Sequence, residues 1–374
     1  SGLASKQSVG LLVKFPLNPI GSSKKVTALW TVRTNFFPKN QNEAYRAVQA
    51  SAEAGKTFLY AVGNAAGDAG NSTALLAKYD SEDKLVWYKM LTDTKKLNKA
   101  AATALAILNG HIYVAGYKGS GKKGMPLENY PLNLMLWKYT FDGNLVWEKK
   151  ISAGFVADPD SFGEMQVGLI VSGGALYLAG GKNGMSSKRD VVIAKYDEKG
   201  SLVWEKEWRA ELEEGRRDSA SATAIAAGFD RIYVAGPVRH EDKSGKKGQN
   251  IFLLEIDKEY GLVLAKHSYG EENKHEYVSS ILSVGTDLYL AGMSLPFKAK
   301  KPESDLFLLQ YKPLPIIPVT IDVKPDTKEN MVALEPAPAK PDPKKKKPVK
   351  KVDPIAIAIL STRNFKAPVE IEPH

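Results

Sequence analysis

The 374-residue sequence predicts an all-β fold built from one four-stranded unit repeated along the chain. Three observations carry that expectation. A short strand ending in glycine recurs as FLYAVG (58–63), HIYVAG (111–116), ALYLAG (175–180), RIYVAG (231–236) and DLYLAG (287–292). A hairpin recurs as LLAKYDSEDKLVWYK (75–89), LMLWKYTFDGNLVWEK (134–149), VIAKYDEKGSLVWEK (192–206) and FLLEIDKEYGLVLAK (252–266). Runs of small residues, such as AAATALAIL (100–108), SASATAIAA (219–227) and SSILSV (279–284), precede the glycine-ended strands.

Each element has a physical reason. In every glycine-ended strand a tyrosine stands three residues before the glycine: Tyr60, Tyr113, Tyr177, Tyr233 and Tyr289, in steps of 53, 64, 56 and 56. In the hairpins the step from Tyr79 to Trp87, Tyr139 to Trp147, Tyr196 to Trp204 and Ile256 to Leu264 is always eight. Hairpin register is held because a one-residue slip turns every side chain to the opposite face. The turns carry Asp, Gly, Asn and Lys, the residues short β connections favour. Small-residue strands suit a crowded axis. The order small strand, YVAG strand, KY strand, VW strand, repeated round an axis, describes a β-propeller. Trp30, Trp87, Trp147 and Trp204 recur at one position and are expected to pack between blades. LLVKF (11–15) and VTALWTV (26–32) read as the outer half of a blade. About six blades are expected, the sixth completed by strands after Pro313; five is the alternative.

These phrases resemble a bacterial β-propeller repeat family whose blades carry the pattern "YVAG…D…L.KYD..G…W". The resemblance spans residues of about 11 to 313 and implies fold rather than function. VTIDVKPD (319–326) and DPIAIAILST (353–362) resemble a small bacterial C-terminal domain with the pattern "IDIKPG…N…IPVAILST..F.A…VDP". The matching positions are Ile321, Asp322, Lys324, Pro325, Asn330, Ile355, Ala358, Ile359, Leu360, Ser361, Thr362, Phe365, Ala367 and Pro373; Asp326 replaces the usual glycine. The expected division is a propeller over 1–313 and a C-terminal β segment over 314–374 that carries a basic arm. This second resemblance implies an extracytoplasmic protein. The numbered chain opens SGLASKQ, with no charged and then apolar leader, so any signal peptide is expected to have been removed or never to have existed.

Composition excludes several chemistries. There is no cysteine, hence no disulfide and no thiolate chemistry. No apolar run is long enough to span a membrane as a helix. VAGYKGSGKKG (114–124) nearly spells a phosphate-binding loop, but Lys123 stands where Ser or Thr must meet magnesium, and a strand follows. The five histidines, His111, His240, His267, His275 and His374, form no HExxH motif. His267 and His275 are read into one blade-to-blade loop, where Glu271 or Glu272 could join them on a metal; a plain polar loop is the alternative. ADPDSFGE (157–164) lacks the full ligand series of a calcium loop. GxLVWEK resembles the tryptophan phrase of quinoprotein-type propellers, but those rings need eight blades. No cofactor and no metal are expected.

The formal charge is +10. Between residues 335 and 354, seven lysines stand against Glu335, Asp342 and Asp353, a local +4. Proline and like charge extend such a segment. Lys344, Lys345, Lys346 and Lys347 there, with Lys122, Lys123, Lys246, Lys247, Lys300 and Lys301 in the YVAG-to-KY connections, are the candidate partner-binding residues. They suit an acidic protein surface or a larger complex. Without interleaved aromatics they do not suit specific nucleic-acid binding. The expected function is a non-catalytic interaction or assembly subunit of an extracytoplasmic complex or cell-surface structure. The rival is an enzyme or carbohydrate-binding lectin working in the central funnel. Convergent carboxylates would favour the rival, and a funnel filled by Ala, Ser and apolar side chains the subunit.

Overall fold

The computed structural model describes residues 10–14, 30–34, 43–66, 72–92, 98–120, 131–156, 166–183, 189–210, 219–241, 247–271, 274–296 and 305–313. The fold is a β-propeller, and among the described residues no helix is long and apolar enough to cross a membrane. Strands β1 (Gly10–Lys14) and β2 (Trp30–Thr34) form a separate antiparallel hairpin. The first blade is β3 (Glu43–Glu53), β4 (Lys56–Ala66), β5 (Ser72–Asp80) and β6 (Leu85–Met90). The second is β7 (Asn98–Leu108), β8 (His111–Ser120), β9 (Pro131–Thr140) and β10 (Leu145–Val156). The third is β11 (Gly168–Ser172), β12 (Ala175–Asn183), β13 (Arg189–Tyr196) and β14 (Leu202–Trp208). In the fourth, the inner strand is broken into β15 (Ser219–Ala220) and β16 (Ala224–Ala227), followed by β17 (Arg231–Glu241), β18 (Lys247–Asp257) and β19 (Val263–Tyr269). The fifth comprises β20 (Lys274–Val284), β21 (Asp287–Pro296) and β22 (Asp305–Tyr311). The strands expected after Pro313 to complete a sixth blade lie outside the described residues.

The glycine of the YVAG phrase answers to a specific crowding. Three inner strands carry an irregularity opposite it: the register slips between Tyr45 and Ala47, between Ala102 and Ala104, and between Val278 and Ser280. The carbonyl two residues before the bulged residue then leans over the neighbouring strand. A Cβ at Gly63, Gly116, Gly236 or Gly292 would stand 1.9, 2.1, 2.0 and 2.0 Å from the carbonyl oxygens of Ala44, Ala101, Ser221 and Tyr277. Only glycine admits a backbone that close.

Blades are joined by a repeated latch. The turn carbonyl of Phe141 in the second blade accepts from Lys78 Nζ and from Trp87 Nε1 of the first, both at 3.2 Å. The Glu198 carbonyl of the third accepts from Tyr113 OH at 2.7 Å and Lys138 Nζ at 3.1 Å of the second. The Lys258 carbonyl of the fourth accepts from Lys195 Nζ (2.9 Å), Tyr177 OH (3.3 Å) and Trp204 Nε1 (3.4 Å) of the third. In each of the first three blades the lysine also lies over its own tyrosine ring, 5.2–5.5 Å from the centroid. The latch explains the turn glycines, because Gly143, Gly200 and Gly261, all at positive φ, sit against Trp87, Trp147 and Trp204. These three tryptophans are therefore inter-blade packing residues, as the recurrence implies. The Trp30 side chain lies outside what the structure describes.

The fourth blade departs from the pattern. Its turn is one residue longer, so the residue paired where tryptophan stands elsewhere is Ala265, bonded across from Glu255; the step of eight to Leu264 does not mark the equivalent position. Glu255 replaces the lysine and is buried beside Arg231. Arg231 Nη1 donates to Glu255 Oε2 at 2.5 Å, and Tyr311 OH of the fifth blade donates to Glu255 Oε1 at 2.5 Å. His267 Nε2 lies 3.0 Å from the same oxygen. Burial opposes a charge on Glu255, but hydrogen bonds from His267, Tyr311 and Arg231 outweigh it and hold the carboxyl below the usual carboxylate range. The carboxylate has taken over the joining role of the missing lysine and tryptophan.

Candidate functional site

The five inner strands surround an axial cavity of about 410 Å³. Each contributes one short stretch: Arg46 and Ala47 from β3, Thr103 to Leu105 from β7, Gln166 to Leu169 at the start of β11, Thr223 to Ile225 at β16, and Ser279 to Ile281 from β20. Bulges in β3, β7 and β20 fall within three of these stretches. A bulge turns its extra residue out of the strand alternation and re-aims the side chain. The bulged residues Arg46, Thr103 and Ser279, with Thr223 beside the break between β15 and β16 and Val167 before β11, all line the cavity.

Two of those side chains are committed to the frame. Thr103 Oγ1 accepts from Val167 N at 3.0 Å, and Thr223 Oγ1 donates to the Val278 carbonyl at 2.9 Å. Each hydroxyl ties its inner strand to the next. Ser279 and Ser280 are exposed to the cavity, and Gln166 is half-buried. Arg46 is the lining cation. Its Nε donates to Asn64 Oδ1 at 3.3 Å, and its side chain is open to the channel. The protein around the channel mouth still withdraws enough water to push the guanidinium pKa down, with the Tyr117 hydroxyl opposing that shift. Leu105, Val167, Leu169, Ile225 and Ile281 supply the apolar wall. Among the described lining residues there is no Asp or Glu. The channel thus matches neither expected extreme: it holds no convergent carboxylates, yet it is open and polar on one side rather than filled.

The residues expected to bind a partner do not meet here. Lys122, Lys123, Lys246, Lys300, Lys301 and Lys344 to Lys347 lie outside the described residues, as does ADPDSFGE. Lys247 is not in a loop; it opens β18, its backbone pairing with Glu241. His267 and His275 do not share a loop either. His267 is on β19 and His275 on β20, and no group of three His, Asp or Glu residues among those described is placed to hold a metal.

Sequence reasoning missed the lining set, although a signal existed. Thr103, Val167, Thr223 and Ser279 each stand thirteen residues before a YVAG-strand glycine. Arg46 stands seventeen before Gly63, because the first inner hairpin is longer by two residues on each side.

No protein-family model matches the chain, and no curated protein matches it. Solved structures do. A GH43 β-xylosidase/α-arabinofuranosidase from a compost microbial metagenome is 13% identical, with 71% of this chain and 91% of that chain covered at a TM-score of 0.37. A Synechocystis apocarotenoid oxygenase mutant is 12% identical, covering 80% and 68% at 0.42. An exo-1,5-α-L-arabinanase from a bovine ruminal metagenomic library is 12% identical, covering 73% and 94% at 0.35. The likeness is one of fold. It corrects the expectation of a non-catalytic assembly subunit, and with it the reading that the chain is not an enzyme. That expectation rested on the lysines of the loops and arm and on the lack of a recognisable catalytic motif, whereas the solved structures similar in fold are enzymes.

Proposed function

We propose that this propeller is a carbohydrate-acting protein that takes a small saccharide in its axial channel. The observation that carries the reading is the cavity. Its volume of about 410 Å³ falls within the roughly 300–1,000 Å³ range of small-molecule sites. Its wall is amphipathic in the way a pyranose is: Ser279, Ser280, Gln166 and Arg46 offer donors and acceptors, and Leu105, Leu169, Ile225 and Ile281 offer an apolar surface. Consecutive blades from the first to the fifth are joined by the described hydrogen bonds, so these strands are rigid elements. The test is titration calorimetry against neutral and acidic monosaccharides and their disaccharides, with release of nitrophenol from the matching nitrophenyl glycosides as a second readout. Saturable binding that Ser280→Phe abolishes without lowering the melting temperature supports the channel. Binding untouched by that plug, or none across the panel, overturns it.

A further inference from the structure

We infer that the open face of the fifth blade is a docking surface for this chain's own C-terminal stretch, with residues 355–360 forming a strand that pairs with β1 and packs on that face. The inference does not depend on the saccharide reading.

The ring has a gap. Inner strands pack side by side from β3 to β7, β7 to β11, β11 to β16 and β16 to β20. Among the described residues no comparable packing joins β20 back to β3. Beside β3 stands β1, from the separate hairpin. That hairpin has the register of a blade: Lys14 pairs with Trp30, as Lys78 pairs with Trp87, Lys138 with Trp147 and Lys195 with Trp204. So β1 and β2 stand as the third and fourth strands of a further blade, for which the described residues hold no first or second strand. Among those residues β1 is paired on one edge only.

The fifth blade turns an apolar face to that gap. In the fourth blade Ile251 and Leu253 are 1% and 2% exposed, packed against the fifth. The register makes Leu306 and Leu308 on β22 their counterparts, yet these are 85% and 48% exposed. Leu282, Val284 and Met293 are exposed on the same face. Tyr289 and Gln310 hold the places of the latch tyrosine and lysine, but Gln310 Nε2 donates to Tyr289 OH at 3.4 Å and to Asp287 Oδ2 at 2.6 Å, within its own blade. Apolar faces and strand edges left open in this way are sites of association.

The occupant has to cover the fifth blade and pair with β1. A second copy docked on the fifth blade would leave β1 without a neighbour. The chain itself leaves β22 beside the gap, with residues 314–374 still to follow. Among these, 355–360 read IAIAIL, without charge or proline. The second strands of other blades show what the place requires. Ile112 and Val114 face back to the first blade, while Tyr113 and Ala115 face on to the third. Ile232 and Val234 likewise face back, and Tyr233 and Ala235 face on. IAIAIL offers the same alternation, with Ile355, Ile357 and Ile359 for the side of Leu306 and Leu308 and Ala356 and Ala358 for the side of the first blade.

The experiment is hydrogen exchange read by mass spectrometry on the full chain, with the molar mass measured by light scattering at the same concentration. Amides of 355–360 in the monomer should exchange at least about a hundredfold more slowly than in an unstructured peptide. Leu308→Asp should speed their exchange about tenfold or more and leave β8 and β9 unchanged. Ile357→Asp should in turn speed exchange in β22. Unprotected 355–360 in the wild-type monomer overturns the inference. Protection seen only where the chain is dimeric assigns the face to a second copy and also overturns it. Protection that Leu308→Asp leaves intact, with β22 indifferent to Ile357→Asp, means that the segment folds away from the fifth blade, and the inference fails. If Leu308→Asp does not fold, Ile357→Asp, which alters no described residue, decides the matter alone, and unchanged exchange in β22 overturns the inference.

Discussion

Replacing Gly116 by alanine tests the account of the axis most directly, because it adds one methyl group where the structure leaves no room. The new Cβ would lie 2.1 Å from the Ala101 carbonyl oxygen and 2.9 Å from the Ala102 Cα, both backbone atoms. Neither can rotate away. Relief requires moving β7 off β8 at the bulge, which also shifts Thr103 and its bonds to Val167. Overpacking of a well-filled interior costs about 1–3 kcal/mol, occasionally more. A backbone clash linked to two inter-blade bonds belongs at or above the top of that range, about 3 kcal/mol. The control is Gly180→Ala in the third blade, whose nearest neighbours are the Leu134 methyls at 3.3 and 3.4 Å. A leucine rotamer adjusts, so about 1 kcal/mol or less is expected there. Urea unfolding followed by tryptophan fluorescence measures both variants, with the slope checked for constancy so that midpoints compare. At about 2 °C per kcal/mol for a chain of this size, thermal melting should separate them as well. If Gly116→Ala unfolds with the wild type, or Gly180→Ala is the more damaging, the bulge does not set the glycine and the reasoning fails.

Three further outcomes follow from the blade seams. Trp204→Ala removes a largely buried indole seated on Gly261 and bonded to the Lys258 carbonyl, and should cost about 3–5 kcal/mol in urea unfolding. Glu255→Ala leaves buried Arg231 with Asp230 alone and should cost about 3 kcal/mol, the lower end for a broken buried pair. The Glu255 pKa is lowered on folding, so its contribution is present above the ordinary value of 4.5 and fades as pH falls below it. The gap between wild type and Glu255→Ala should therefore narrow in melts run below that pH, and a constant gap would exclude the charge as the cause. Glu276 is the reverse case: fully buried, with one oxygen lacking a hydrogen-bond partner among the described residues, its carboxyl is pushed up chiefly by burial. Its ionisation opposes folding as pH rises above 4.5, so Glu276→Gln should raise the melting temperature at pH 8 and lose that advantage near pH 4.

Local rules were enough to make the repeat legible. A hairpin's register depends on residues within about fifteen positions of each other, so the KY–VW pairing and its turn chemistry could be read directly, with Lys78 opposite Trp87 and Lys195 opposite Trp204 in the outcome. The YVAG glycine was legible as a recurrence but not its cause, which in four of the five strands is a carbonyl from the preceding strand. The axis lay beyond such reading. Arg46 and Ser279 are more than two hundred residues apart in the chain and meet only because five blades turn their first strands to one line. The fourth seam was hidden for the same reason, since Glu255 is an odd substitution in its hairpin until Arg231, His267 and Tyr311 are seen round it. Periodicity along the chain determined the blades of this protein. What the blades enclose, and which charges face each other across them, depends on closure of the ring, and only the tertiary structure decided it.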